Sequence, residues 1–83
     1  MRKHNFIFID IETTGLVVTK HEIVEIGCVV TNPDLEIVEE FSLKIKPEHI
    51  ENADPVALKI NHYNEVDWEK AMTLNKSIEI LAL

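Results

Sequence analysis

Asp10 and Glu12 stand two residues apart in an apolar run, Phe6-Ile7-Phe8-Ile9-Asp10-Ile11-Glu12, which then breaks into Thr13-Thr14-Gly15-Leu16. A run rich in β-branched and aromatic residues reads as a strand, and side chains at i and i+2 of a strand share a face. Their Cα atoms should lie roughly 6–7 Å apart, from a rise of about 3.3 Å per residue. Carboxylates that close repel one another unless cations offset them, and hard ions such as Mg²⁺ and Mn²⁺ take oxygen ligands. On spacing alone, a solvated acidic face is the ordinary alternative. Ile9 and Ile11 point the other way and are expected to anchor the strand in a core. Gly15 offers positive φ and lets a ligand approach the backbone closely. Leu16 places an apolar side chain beside a polar site.

The elements that must hold this segment follow from pattern. The first strand is expected over about Asn5–Glu12, apolar on both faces as in a central strand. Val17–Lys20 reads as a loop leading to a second strand, about His21–Thr31. Asn32-Pro33-Asp34 is a turn, because Pro presets φ and Asx side chains bond nearby backbone. The third strand, about Glu36–Lys46, has a polar interruption at Glu39-Glu40. The second strand is therefore expected to pair antiparallel with both neighbours. Asp54-Pro55 starts a short helix, Pro55–Ile60, with Asp as N-cap and Pro at N1. Asp67 is expected to cap a longer helix, about Trp68–Leu83. Its apolar positions Trp68, Ala71, Met72, Ile78, Leu81 and Ala82 follow helical spacing and point to core. The fold class is thus α/β: a three-stranded antiparallel sheet followed by two helices.

Asp-Ile-Glu-Thr-Thr-Gly-Leu at residues 10–16, after its Phe/Ile run, resembles the first motif of the DEDD superfamily of 3′→5′ exonucleases. That superfamily has a ribonuclease H-like fold and includes the proofreading subunit of bacterial replicative polymerase. His21–Val30 is similar to the family's second strand, and Phe41–Pro47 to its third strand with the proline after it. The resemblance implies that Asp10 and Glu12 are ligands of two Mg²⁺ or Mn²⁺ ions. It places Thr13 and Thr14 near the terminal nucleotide and its 3′-hydroxyl, with Leu16 wedged against the terminal bases. Ala57–Tyr63 falls where the family has a substrate-lining stretch ending in His-Gly-Ile. Asn61 and His62 replace the His and Gly there, so Asn61 takes the substrate-lining position. The implied mechanism is two-metal phosphodiester hydrolysis, with one cation activating water, the other stabilising the leaving 3′-oxygen, and a His as general base. Glu25, which interrupts the apolar second strand, matches an acid near the family's active-site floor. An outward-facing edge residue is the alternative for it.

The family also needs a later Asp motif, and then a His followed four residues on by an Asp. His49 to Asp54 and His62 to Asp67 mimic that last spacing, but both precede any second motif. Each Asp is also better explained as a helix cap. The 83 residues are therefore expected to be a partial exonuclease domain, roughly its first half, with two of four metal carboxylates and no general base.

Composition bounds the rest. A chain of 83 residues is one domain at most, and a globule of that size buries only about 60–65% of its unfolded surface. Hydrophobic content of 46% supports a core rather than disorder. The net charge of −7 and scattered lysines argue against a counterion-release grip on nucleic acid by these residues, and the other half of such a domain could supply basic ones. Any DNA or RNA 3′ end would be engaged through cations, backbone amides and a few stacking side chains. The single cysteine, Cys28, allows no intrachain disulfide and reads as a buried small hydrophobe, the usage of a reducing, cytoplasmic setting. His21, at a loop end, reads as solvated. No segment approaches the roughly 20 apolar residues of a membrane span, and the start of the chain lacks a signal-peptide pattern. An uncovered apolar flank beside the last helix would invite self-association or a partner. The expected function is a metal-dependent 3′→5′ exonuclease domain, inactive as an isolated chain. The alternative is a non-catalytic exonuclease-like binding or interaction module.

Overall fold

Three strands form one antiparallel sheet in the order β1-β2-β3: β1 Phe6–Thr13, β2 Ile23–Thr31 and β3 Ile37–Lys44. The structure is a computed structural model that describes residues 4–82. Met1–Lys3 of the basic start, and Leu83 at the end of the expected last helix, lie outside the described residues.

The β2–β3 turn forms because Asn32 Oδ1 accepts from the amides of Asp34 and Glu36. Leu35 then takes φ 65°, the left-handed residue that closes such a hairpin. The Glu39-Glu40 interruption stays within β3.

β1 is expected from its sequence to be central. Among the described residues it is instead an edge strand, paired only with β2. Ile9 and Ile11, expected in the core, are 60% and 47% exposed. Apolar residues on both faces need a layer on each side, and these residues supply neither. The apolar core lies under β2 instead, in Val24, Ile26, Cys28, Ile45 and Trp68.

After β3 come a single 3₁₀ turn, Ile50–Asn52, and helix α1, Pro55–Ile60. Asp54 caps α1 as expected, accepting from the Val56 amide. α1 ends in two backbone hydrogen bonds, Tyr63 N–H to Leu58 O and His62 N–H to Lys59 O. That is the Schellman pattern, which needs a left-handed residue and favours glycine there. His62 fills that position with φ 57°.

The expected long helix is two helices, α2 Glu65–Trp68 and α3 Leu74–Ala82. Asn64, not Asp67, caps α2: its Oδ1 accepts from the Asp67 amide and its Nδ2 donates to the Asp67 carboxylate. The chain then extends so that Met72 bridges to Ile45, with Lys46 N–H donating to Met72 O at 2.8 Å. Thr73 restarts the helix by accepting from the Lys76 amide. An apolar spacing that skips from Met72 to Ile78 conceals this break. Trp68 is buried as expected, whereas Ile78 is 52% exposed. The uncovered apolar surface is therefore larger on β1 than beside the last helix. Among the described residues, no helix is long and apolar enough to cross a membrane.

Candidate functional site

Strand pairing fixes where the two carboxylates sit. Asp10 is opposite Gly27 and Glu12 opposite Glu25, with a register shift immediately after Glu12. Val24 is the extra residue there, since Glu25 faces Glu12 and Ile23 faces Thr13. Such bulges bend a strand and re-aim its side chains. Val24 is fully buried, and its carbonyl accepts from both the Ile45 amide at 2.8 Å and Trp68 Nε1 at 2.9 Å. The bulge under Glu12 is thus pinned from two sides.

The turn after Glu12 is held by a dense set of hydrogen bonds. Thr13 Oγ1 donates to Gly15 O at 2.7 Å, and Asn61 Nδ2 donates to Thr13 O at 2.7 Å. The Asp54 amide donates to Thr14 O at 2.7 Å. Thr14 is buried; its amide donates to Glu22 O at 2.8 Å and its hydroxyl accepts from the Glu22 amide at 2.9 Å. Glu22 in turn accepts the amides of Glu48 and His49, each at 2.8 Å. These contacts lock both ends of α1 and the loop before it against the end of β1.

Gly15 does not use positive φ. Glycine is needed there because a Cβ would overlap the His21 imidazole. His21 is half-buried rather than solvated, and its Nδ1 accepts from the Val17 amide at 2.9 Å. That arrangement requires the neutral ring with its proton on Nε2.

Glu12, Thr13, Leu16 and Asn61 line one cleft of about 350 Å³ between β1 and α1. Leu16, 96% exposed, forms an apolar lip. Asp10 lies one pleat away in a trough of about 480 Å³ that crosses Gly27 and Ser42. Thr14 does not reach the cleft, because its hydroxyl is committed to Glu22. Asn61 reaches it while its amide nitrogen is spent on Thr13. Sequence reasoning missed Glu22 as the clamp of this region; no local motif marks a carboxylate that accepts amides 26 and 27 residues away.

Glu25 is tied to Lys44, with Nζ to Oε2 at 3.2 Å. His49 pairs with Glu51 at 3.3 Å, and Asp54 and Asp67 both serve helix starts. Asp54 lines the cleft with Glu12, but its carboxylate is occupied in capping α1, and neither His49 nor His62 lines that cleft. Glu51 is held below the usual carboxylate range, first by a hydrogen bond from its own backbone amide and then by His49.

A three-stranded antiparallel sheet followed by helices is the opening part of a ribonuclease H-like exonuclease fold. A family model described as exonuclease (RNase T) matches residues 7–82, and the chain belongs to that family. Its fold is shared by a full-length 3′-exonuclease at TM-score 0.80 and 21% identity, the match covering 98% of this chain and 28% of the other. It is shared too by the nuclease domain of 3′hExo, a DEDDh family member bound to rAMP, at TM-score 0.78 and 22% identity. That match covers 94% of this chain and 42% of the other. The chain therefore spans less than half the length of either. No curated protein sequence matches it.

Exonucleases of this family generally use divalent metal. The donors present fit part of such a centre. Asp10 and Glu12 are hard oxygen donors on one strand face, and no described residue hydrogen-bonds or ion-pairs with either carboxylate. Among the described residues, no group of three or more His, Cys, Asp or Glu could hold a metal ion.

Proposed function

We propose that this chain supplies the first pair of metal-binding carboxylates and the nucleotide-facing cleft of a 3′→5′ exonuclease site. The observation that carries the reading is the unpaired Asp10–Glu12 couple beside a clamped turn and an apolar lip, in a chain of the exonuclease family. Asp10 and Glu12 would hold Mg²⁺ or Mn²⁺. Cations held there supply water activation and charge neutralisation at the scissile phosphodiester.

The remaining residues bind and orient. Asn61 and Asp54 fix the Thr13 and Thr14 carbonyls, which keeps the backbone after Glu12 rigid. Leu16 offers an apolar surface to a terminal base of DNA or RNA. The 3′ end enters with little help from lysine, consistent with the acidic charge of −7. Hydrolysis needs further ligands and a general base beyond the two carboxylates described. The 83 residues alone are therefore expected to be inactive, and a metal-dependent end-binding module is the second reading. That reading is favoured by the absence of a three-ligand cluster among the described residues.

Digestion of an oligonucleotide labelled at its 3′ terminus, with Mn²⁺, separates the two readings. Activity lost in Asp10→Ala/Glu12→Ala supports a working site. Activity unchanged in that variant contradicts the assignment. Binding without cleavage supports the module.

A further inference from the structure

The residue row that starts at Glu12 continues across the sheet. Glu12 is opposite Glu25 on β2, and Glu25 is opposite Lys44 on β3. Adjacent strands lie about 4.8 Å apart, so these three ionisable side chains share one face over about 10 Å. Like charges directly opposite one another are destabilising. Lys44 relieves this: its Nζ is 3.2 Å from Glu25 Oε2 and 4.6 Å from the centre of the Trp68 ring. Trp68 is buried and anchored through Nε1 to the Val24 carbonyl, next to Glu25 in the chain. Lys44 is therefore docked between a carboxylate and a fixed aromatic face, not free in solvent.

We propose that Lys44 is a built-in counter-ion: by neutralising Glu25 it sets the affinity of the Asp10–Glu12 pair for a divalent cation. The inference rests on Asp10 and Glu12 being the metal ligands. Lys44 touches neither metal nor substrate and is a positioning residue. A cross-strand clasp alone would matter only for folding, and a half-exposed pair of this kind contributes little to that. Its charge, by contrast, is felt by a doubly charged ion one strand away from Glu25.

The sign pattern is specific. Lys44→Met leaves Glu25 uncompensated beside Glu12 and tightens Mn²⁺ binding about three- to tenfold. Glu25→Gln leaves the Lys44 charge uncompensated and weakens binding by about the same factor. The double variant returns to near the wild-type affinity, and Lys44→Arg, which keeps the charge, changes little. Added salt shrinks the differences, since the groups are partly exposed.

The experiment is Mn²⁺ titration followed by electron paramagnetic resonance at low ionic strength. It uses the 83-residue chain and these variants, with Asp10→Ala/Glu12→Ala as the site control and circular dichroism as the fold check. Emission of Trp68, the single tryptophan, reports loss of the docked ammonium in Lys44→Met. Opposite shifts of the two single variants, cancelling in the double, are the expected result. Shifts in the same direction, or none, overturn the proposal while leaving the site reading intact. Mn²⁺ binding that is absent, or indifferent to the site control, overturns the site reading and this proposal with it.

Discussion

β1 and β2 are neighbours in one sheet, both rich in apolar residues, and they are buried oppositely. Ile11 and Ile26 face each other as Cα partners, yet Ile11 is 47% exposed and Ile26 only 5%. β2 is paired on both sides, and the buried Trp68 donates to its Val24 carbonyl. β1 has one paired edge and carries Asp10 and Glu12, the proposed metal ligands. In this chain burial is concentrated on β2, whereas the proposed site is borne by a strand with little cover. Apolar pattern identifies a strand but not whether its covering layers are present.

The largest loss is expected at Trp68. Trp68→Ala removes a buried indole, its hydrogen bond to Val24 and the seat of Lys44, and is expected to cost about 3–5 kcal/mol. In a domain this small that unfolds most of the population, read as loss of sigmoidal thermal melting by circular dichroism. A sharper test uses the partnered isoleucines. Ile26→Ala should cost about 2–4 kcal/mol and Ile11→Ala about 1 kcal/mol, in proportion to the apolar area each hides. Equal losses in urea denaturation would mean that β1 is covered in solution.

Smaller effects lie at the turn and at the end of α1. Gly15→Ala drives a methyl into the His21 ring and should cost about 1–3 kcal/mol; adding His21→Ala should restore part of that. His62→Gly should stabilise by about 0.5–1 kcal/mol, because a left-handed residue past a helix end is strained unless it is glycine. A destabilised His62→Gly, measured by chemical denaturation, would show that the imidazole makes a compensating contact.

Much of this was legible in the sequence because local chemistry dictated it. Asp54-Pro55 started α1, Asn32-Pro33-Asp34 turned the hairpin, and the Asp10–Glu12 motif sat at the end of a strand. Four features depended on tertiary surroundings that no local pattern encodes, and were hidden. The edge position of β1 depends on what is absent beside it. The break between α2 and α3 depends on the Met72–Ile45 bridge. The need for glycine at position 15 comes from His21, not from φ. The commitment of Thr14 follows from Glu22, eight residues on. Asn64 had the right chemistry for a cap, but Asp67, just before the apolar stripe, had it too.

The central claim is that Asp10 and Glu12 together hold divalent metal. Paramagnetic broadening of backbone amide signals by substoichiometric Mn²⁺ tests it directly. The account predicts selective loss of the signals of Asp10–Thr13 and of Gly27 opposite, and their return in Asp10→Ala/Glu12→Ala. Broadening centred instead on the acidic stretch Glu36–Glu40, and unchanged in that variant, would contradict it.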